Sequence, residues 1–486
     1  MNIILLIIDT LRYDHVSAHG LGRASTPNID ALAQRSWVFD WAFSNSFPTI
    51  PHRTDVITGA YGRPFHPWAP LPHARRTFPR MLAEAGYCTQ LIHDTPHLVN
   101  GGHNFDWPFQ AWTFLRGGEV DRPWIDDQPM TYLDNWGRDP LFDYIGDPEC
   151  ANVREHLLVS YTRANRHRQG PEDWNAARLF ATAARFCREN ARRDNFFLWV
   201  DCFDPHEPWD APPEFVKMYV DEPGFDGRID PRAFLPEARN PAGAPDPDAV
   251  RDRLKALYAA KVSWMDHCLG KLLAAIDEKG LWDNTAVILT SDHGTNVGDR
   301  GRFGKTAPVH DSEARVPMMV YAPGAGSGRC QAIVQPQDIM ATVLNLAGAP
   351  VPDDVESYDL LRLARTGADP RKVALAGPSA YGWERFKDLS LFTVFDREGY
   401  LLWSPKLHES PLFSYGLDDP DAKPDPAEVD HLWAAGKDEI ARRGAPKELC
   451  EWLEGEAKWD FPRDCLPPAG PEGYHKYWSR YYNKWE

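Results

Sequence analysis

Short apolar runs alternate with longer stretches of helical periodicity along most of the chain. The clearest apolar runs predict buried β-strands, and they lie at residues 3–8, 196–202, 285–290 and 318–322. Strands that alternate with long helices are typical of a mostly parallel sheet with helices on both faces. The pattern therefore predicts an α/β fold built on one large sheet.

Two segments carry the clearest pattern of an amphipathic helix. Apolar side chains recur every three or four positions in residues 174–193, and again in residues 248–279. A stripe with this period packs against a core when the segment is helical. Each segment leads into a predicted strand, so both helices are expected to cover the sheet.

The pattern changes after about residue 365. Short strand-like pieces at 391–395 and 400–403 are followed by acidic, proline-bearing loops. The sequence therefore predicts a large domain of residues 1–365 and a smaller C-terminal α+β subdomain of residues 366–486. The tail at 474–482 is too aromatic to be free in water. It is expected to dock on its own subunit or on a neighbouring one, which leaves a homo-oligomer as an open alternative.

Polar side chains follow three of the predicted strands. Asp9 ends the first strand, Asp204 and His206 lie just beyond the strand at 196–202, and Asp292 and His293 follow the strand at 285–290. Ligands bind at the carboxyl edge of open α/β sheets, and a buried carboxylate costs several kcal/mol unless a cation or donors compensate for it. Asp9, Asp292 and His293 are therefore predicted to share a divalent ion. Helix capping by the aspartates and a satisfied core histidine are the alternatives.

Composition and charge narrow the class of protein. Of the 486 residues 43% are hydrophobic and 25% are charged, as in a folded globular protein. The formal net charge of −17 repels polyphosphate backbones, so nucleic acid is not expected as a partner. The first apolar run is too short to span a membrane and lacks the flanks of a signal peptide. A cytoplasmic protein without a membrane partner is predicted, with its cysteines as free thiols.

The hydroxyl of Thr49 and the guanidinium of Arg53 stand four residues apart in the sequence. Thr49 precedes Arg53 by about one helical turn, so both side chains would face one anion if a helix begins at Thr49. A turn bracketed by Pro48 and Pro51, with Thr49 as its N-cap, is the alternative.

Four motifs in this order resemble the sulfatase-like branch of the alkaline phosphatase superfamily. They are Ile-Ile-Asp-Thr-Leu-Arg at 7–12, Thr-Ile-Pro-His-Arg at 49–53, Asp-Pro-His-Glu-Pro-Trp at 204–209, and Ser-Asp-His-Gly at 291–294 with Lys305 and Arg-Val-Pro at 315–317 behind it. The resemblance covers residues 1 to about 350. It implies an enzyme that cleaves esters of phosphoric or sulfuric acid with the help of a metal.

The resemblance also implies a role for each matching residue. Asp9, Asp292 and His293 would be metal ligands, and Thr49 would stand at the position of the nucleophile and share the metal. Arg53 would hold the nucleophile and the tetrahedral anion.

Further residues would contact the substrate. His206 and Lys305 would bind the ester oxygens and assist the leaving group. The usual Lys-Trp-His segment of the family is missing, and Thr95 and His97 stand near its place. We predict that these two residues bind the substrate.

Thr49 departs from the sulfatase pattern, in which a cysteine or serine is oxidised to formylglycine. Thr49 cannot become that aldehyde, because its β-carbon already bears a methyl group. It would act as a metal-activated alkoxide and form a covalent adduct that water later attacks. Phosphodiesterase, phosphonate hydrolase and mutase relatives that use threonine work in this way. Thr10 replaces a second aspartate common in sulfatases, so their calcium cage is expected to be incomplete.

A second ion would activate the water that hydrolyses the Thr49 adduct. Two-metal relatives, such as cofactor-independent phosphoglycerate mutases and phosphopentomutases, imply Asp204, His206 and His310 as its ligands, with Asp201 as a substitute for Asp204. His206 as a substrate-binding residue is the alternative. The prediction is one or two divalent ions. Mixed Asp and His ligation favours manganese or zinc, and an oxygen-dominated site would accept calcium or magnesium.

The resemblance therefore predicts a metal-dependent hydrolase of a small phosphate ester, either a phosphodiester or a phosphonate monoester, that acts through a covalent Thr49 intermediate. Three alternatives stay open: a sulfuric ester hydrolase without formylglycine, a phosphoryl transferase, and a non-catalytic binding or scaffold relative. An aromatic wall would favour an apolar or sugar-bearing leaving group, with structural packing as the alternative. Its candidate residues are Trp107, Trp112, Trp124 and Trp136.

Overall fold

The computed structural model describes residues 1–62, 68–121, 123, 160–220, 247–300, 302–305, 309–378, 392–403, 412–414 and 425–443. The strands are β1 Asn2–Ile8, β2 Trp37–Ala42, β3 Ser46–Phe47, β4 Cys88–His93, β5 Ala111–Phe114, β6 Phe196–Cys202, β7 Thr285–Thr290, β8 Asn296–Asp299, β9 Arg302–Gly304, β10 Met318–Tyr321, β11 Gly328–Val334, β12 Ala374–Pro378, β13 Phe392–Phe395, β14 Gly399–Trp403 and β15 Leu412–Ser414. The α-helices are α1 Pro27–Gln34, α2 Thr49–Thr58, α3 Phe78–Glu84, α4 Ser160–Asn165, α5 Asn175–Glu189, α6 Pro213–Val216, α7 Pro247–Glu278, α8 Asp311–Ala314, α9 Asp338–Ala347, α10 Leu360–Thr366 and α11 Pro426–Arg442. Short 3₁₀ helices lie at Tyr13–His15, Ser17–His19, Pro96–Leu98, Asn100–Gly102, Pro171–Asp173 and Leu281–Asn284.

An eight-stranded sheet with the order β11-β2-β10-β7-β1-β6-β4-β5 forms the centre of the larger part of the fold. Strand β1 lies in its middle and pairs in parallel with β6 and β7. Strand β10 runs antiparallel to both of its neighbours. The prediction of an α/β fold with a mostly parallel sheet is confirmed. The apolar run at 318–322 did not reveal that its strand is reversed.

The core lies on both faces of this sheet. Alternate side chains of β1 enter two separate apolar clusters, with Ile4 and Leu6 in one and Ile3 and Leu5 in the other. A strand covered on both faces has no solvent side, which is why β1 reads as an unbroken apolar run. The helices predicted at 174–193 and 248–279 are observed as α5 and α7, and residues of both pack in the first cluster.

A second sheet, of five strands, has the order β15-β14-β13-β12-β3. The two strand-like pieces predicted at 391–395 and 400–403 are its strands β13 and β14. Strand β3 joins it from the N-terminal part of the chain, since Ser46 and Phe47 pair in parallel with β12. The division of the chain at residue 365 therefore stays a prediction. The aromatic tail at 474–482 lies outside the described residues.

Two further observations concern the chain as a whole. Within the described ranges, no helix has both the length and the hydropathy that crossing a membrane requires. The described cysteines are free thiols, and they are Cys88, Cys187, Cys202, Cys268 and Cys330.

Candidate active site

Three buried side chains from two adjacent strands meet at the carboxyl edge of the large sheet. Asp9 follows β1, and Asp292 and His293 follow β7, which pairs with β1. One ligand atom from each residue lies within 4.8 Å of the other two, and all three residues are fully buried. Parallel strands end at the same edge, so neighbouring strands bring residues 9 and 292 together. We call Asp9, Asp292 and His293 the carboxylate–histidine cluster.

The carboxylate–histidine cluster fits a divalent cation. The His293 Nδ1 atom lies 2.7 Å from the Gly294 carbonyl oxygen, which fixes the ring and leaves Nε2 for a ligand. Among the described residues this buried Nε2 has no hydrogen-bond partner. Burial lowers the pKa of His293 to about 4, so the ring is neutral, as a metal ligand must be. Burial, together with Asp292, raises the pKa of Asp9 to about 7 although Arg53 opposes the shift, and a further cation would favour the ionised form.

Arg53 is the buried cation next to this cluster. Its Nη2 atom lies 3.0 Å from Asp9 Oδ2, and its Nη1 contacts Asp292 Oδ2. Asp201 accepts two more hydrogen bonds, of 3.0 and 2.9 Å, from Nε and Nη2. Burial disfavours the charge of Arg53, but the three carboxylates outweigh burial and hold its pKa well above the usual value. Carboxylates at the ends of three strands thus fix Arg53 in one orientation.

Asp201 is itself held by neighbouring donors. The Thr95 hydroxyl donates a 2.6 Å hydrogen bond to Asp201 Oδ1, and Trp199 Nε1 lies 3.2 Å from Oδ2. Thr95 was predicted to bind the substrate, whereas here its hydroxyl proton is used to orient the carboxylate that orients Arg53. A carboxylate with this many donors is also unsuited to the alternative role of Asp201 as a metal ligand.

Thr49 begins helix α2, which is the first of the two possibilities that the sequence left open. Two contacts bring the chain on either side of Thr49 close to the cluster. The Phe47 ring lies 4.8 Å from the His293 ring, and Arg53 Nη1, which contacts Asp292, donates a 3.3 Å hydrogen bond to the Thr49 carbonyl oxygen. Thr49 is buried and stands at a helix N-terminus, where amide groups and the helix dipole favour an anion. Its role as the nucleophile stays a prediction.

Asp204, a predicted ligand of a second ion, contacts a lysine instead. Lys261 of α7 places its Nζ 3.0 Å from Asp204 Oδ1 and 3.0 Å from Asp210 Oδ1, and it donates a 2.6 Å hydrogen bond to the Pro208 carbonyl oxygen. A buried ammonium therefore supplies the positive charge that we had assigned to a metal. No local pattern in α7 marks Lys261, because the residues that it joins lie some fifty positions away.

The two histidines predicted for the second ion also have other neighbours. His206 Nδ1 lies 3.0 Å from Glu119 Oε2 and 3.2 Å from Glu207 Oε2, and His310 Nδ1 lies 3.2 Å from the Tyr400 hydroxyl of β14. Across the part of the chain that the structure describes, the carboxylate–histidine cluster is the one group of three side chains close enough to share an ion. The structure thus gives no support to a second site.

His97 and Lys305 lie in the same region as His206. Lys305 Nζ contacts Glu207 Oε2, so it shares this carboxylate with His206. The His97 ring lies 5.6 Å from the ring of Phe203, on which His206 stacks at 4.2 Å. Burial lowers the pKa of His97 well below its usual value, and His206 lowers it further. A neutral His97 next to the predicted leaving-group residues is compatible with its predicted contact to the substrate.

The predicted aromatic wall is not apparent in the described tryptophans. Trp107 packs against the second core cluster and under the Arg80 guanidinium at 4.9 Å. Trp112 is 48% exposed on β5, the edge strand. Structural packing therefore accounts for Trp107, and Trp124 and Trp136 lie outside the described residues.

Comparison with known proteins agrees with the fold and the motifs. The sulfatase family model matches residues 1–349. The chain therefore belongs to the sulfatase family, within the alkaline phosphatase superfamily, and the resemblance noted in the sequence is confirmed.

Relatives of several kinds are similar over most of the chain. An arylsulfatase from Clostridium perfringens is 26% identical over 451 residues, which cover 89% of this chain and 90% of that protein. The multifunctional alkaline phosphatase superfamily protein PehA from Trinickia caryophylli is 23% identical over 412 residues, with 75% and 77% covered. The solved structure of a phosphonate monoester hydrolase from Silicibacter pomeroyi has the same fold, with a TM-score of 0.67, 24% identity and coverage of 91% and 95%.

Proposed function

We propose that the chain is a metal-dependent hydrolase of phosphodiesters or phosphonate monoesters in which Thr49 is the nucleophile. One observation carries the proposal: Thr49 begins α2 between Phe47, which packs on His293, and Arg53, which binds Asp9 and Asp292. These contacts support a position of Thr49 near the proposed cation site, and its side chain cannot form an aldehyde. An alkoxide of Thr49 is the remaining nucleophile.

The roles of the other residues follow from this placement. Asp9, Asp292 and His293 would hold the metal, whose charge lowers the pKa of a bound hydroxyl and stabilises a developing anion. Thr49 attacks the phosphorus, forming one phosphorus–oxygen bond while the bond to the leaving alcohol breaks. His206 and Lys305 stabilise the departing oxygen. Water then cleaves the Thr49 ester and restores the hydroxyl.

The formal charges of the site support a monoanionic substrate. Three cationic side chains lie among five carboxylates, and these residues are Arg53, His206, Lys305, Asp9, Asp201, Asp292, Glu119 and Glu207. A bound divalent cation brings this balance close to zero. Little positive charge then remains for the second charge of a phosphate monoester dianion, whereas a phosphodiester or a phosphonate monoester carries one charge.

A sulfuric ester hydrolase is the second candidate, and the family match and the arylsulfatase relative favour it. A sulfate monoester is also a monoanion, so the charge balance does not separate the two. The chemistry at residue 49 does separate the two candidates. A formylglycine hydrate expels sulfate by collapsing to the aldehyde, and Thr49 cannot form an aldehyde.

Replacing Thr49 by alanine tests the proposal. We expect the purified protein to hydrolyse para-nitrophenyl phenylphosphonate and bis(para-nitrophenyl) phosphate faster than para-nitrophenyl phosphate or sulfate. T49A should lower kcat/KM by at least about a thousandfold, because a nucleophile is removed. The matched control is Thr58→Ala on the same helix, whose hydroxyl donates a hydrogen bond to the Thr54 carbonyl oxygen.

Two outcomes would contradict the proposal. Turnover retained in T49A would remove Thr49 from the mechanism. A preference for the sulfate ester by about a hundredfold, or about 2.7 kcal/mol of transition-state free energy, would make the sulfuric ester hydrolase the better description.

A further inference from the structure

Lys305 and His206 meet at one buried carboxylate. Glu207 is 3% exposed. Its Oε2 contacts Lys305 Nζ and lies 3.2 Å from His206 Nδ1, and its Oε1 accepts a 3.0 Å hydrogen bond from the Thr295 hydroxyl. His206 Nδ1 lies closer to the Glu207 carbonyl oxygen, at 2.9 Å, and to Glu119 Oε2, at 3.0 Å, so the Glu207 carboxylate is chiefly the partner of Lys305. Glu207 therefore links the loop after β6, the loop after β7 and the segment after β9. Each of these loops carries residues of the candidate active site.

Glu207 is held firmly in its ionised form. Burial disfavours the anion, but Lys305 and His206 outweigh burial and lower the pKa of Glu207 to about 2. The Lys305 side chain is 19% exposed, so its ammonium is not enclosed by Glu207. A flexible lysine loses side-chain entropy when it is ordered. Because the ion pair orders the lysine before the reaction, this entropy is not lost when the transition state forms.

We infer that Glu207 is a positioning residue, which holds Lys305 beside His206 where the leaving-group oxygen develops negative charge. The inference rests on the proposed function. Glu207 itself does not contact the reacting group, because a carboxylate would repel an anionic ester. It acts through the Lys305 ammonium, which is already oriented when charge develops, and preorganised charges of this kind are a large contribution to catalysis.

The dependence on the leaving group tests this inference. Glu207→Gln keeps the size of the side chain and removes its charge. We expect kcat to fall about tenfold on a substrate with a good leaving group, para-nitrophenolate, and several hundredfold on the matching phenyl ester, with KM changed less than about threefold. The reason is that assistance matters most where the departing oxygen carries most charge. An equal decrease for both esters would overturn the inference.

A double-mutant cycle tests whether Glu207 acts through Lys305. Lys305→Ala and the double variant E207Q/K305A are measured on the phenyl ester. Because both changes disable the same contact, the double variant should lose much less than the product of the two single effects. Fully additive effects would contradict a role through Lys305.

A measurement without turnover separates this inference from the proposed function. Labelling of Lys305 by an amine-reactive reagent, followed by peptide mass spectrometry, should be several-fold faster in E207Q, because the ammonium has lost its buried partner. Unchanged labelling would refute the positioning contact. If instead labelling changes as expected but T49A retains activity, the proposed function fails alone.

Two further variants show whether the effects of E207Q arise from a folding defect. Thr295→Val removes the hydroxyl on Oε1 alone and should show the same leaving-group pattern with a smaller amplitude, whereas a uniform decrease would count against the inference. Glu214→Gln is the matched control, since Glu214 is exposed in α6 nearby in the chain, and it should leave kcat and labelling unchanged. Thermal unfolding of each variant shows whether the fold is retained.

Discussion

At the scale of single residues, the strained backbone of Thr10 orients two carboxylates of the site. Its φ of 65° is in the left-handed region, which a β-branched residue adopts at a cost of about 1–3 kcal/mol. In this conformation the Thr10 amide donates a 2.9 Å hydrogen bond to Asp292, and its hydroxyl donates one of 2.6 Å to Asp9. Thr10 thus orients two carboxylates of the cluster without adding a third.

The ligand set leads to a prediction about metal content. We expect the purified protein to bind about one manganese or zinc ion per chain, and Asp292→Asn to lower that content at least tenfold, because a charged ligand is lost. Removing the ion with a chelator should abolish ester hydrolysis, and adding it back should restore activity. Elemental analysis of both proteins measures the content.

The control for this experiment is Asp277→Asn, which changes an exposed carboxylate of α7 and should leave the metal content as it is. Two ions per chain in the wild type would contradict the single-ion expectation and restore the second site that the sequence suggested. An unchanged content in D292N would remove Asp292 from the ligand set.

At the scale of elements, long helix α7 supports other parts of the fold with charged side chains. Lys261 holds the loop after β6, as described above. Asp266, one turn further on, serves helix α1: its carboxylate accepts hydrogen bonds of 3.1 and 2.8 Å from the amides of Asn28 and Ile29. The N-cap residue of α1, Thr26, makes no side-chain capping bond. Asp266 thus caps α1 from another helix.

Removing this cap should destabilise the protein without affecting the chemistry. We expect Asp266→Ala to lower the free energy of unfolding by about 1–3 kcal/mol, because two amides of the first turn lose their acceptor. Asp266→Asn keeps an acceptor oxygen and should cost less. Urea unfolding measures both, with Asp277→Ala as the exposed control on the same helix. A change below about 0.5 kcal/mol in D266A would show that the cap is dispensable.

At the scale of the whole molecule, neutral histidines are built into the interior. His93 and His103 are buried, and burial lowers the pKa of each to about 4. The unfolded chain binds these protons near pH 6.5, so between pH 6.5 and 4 the unfolded state holds more protons than the folded state. Stability therefore falls as the pH falls through this window.

This linkage gives a prediction for the pH dependence of stability. On going from pH 7.5 to pH 5, we expect each of the two histidines to lower the free energy of unfolding by about 2 kcal/mol. His93→Gln keeps a donor for the Thr95 carbonyl oxygen, which lies 3.1 Å from His93 Nδ1, and it should flatten the pH dependence by that amount. Urea unfolding at the two pH values provides the measurement. An unchanged slope in H93Q would contradict a neutral His93.

The sequence by itself determined the features that are local in the chain. The apolar runs marked β1, β6 and β7, because a strand buried on both faces needs no polar positions. The ligand-like residues directly after those strands could also be identified from the sequence, because neighbouring parallel strands end at the same edge of a sheet. The spacing of Thr49 and Arg53 left a helix and a proline-bracketed turn open, and the structure has the helix.

Only the tertiary structure decided which distant charges meet. Lys261 pairs with Asp204, Asp201 pairs with Arg53, and Lys305 pairs with Glu207. Each of these pairs joins residues that are about 60 to 150 positions apart. Such pairs leave no periodic or local signature, because the energy that forms them depends on burial and on the distance between charges in the folded chain. The same physical reason explains why the sequence suggested a metal where the structure has the ammonium of a lysine.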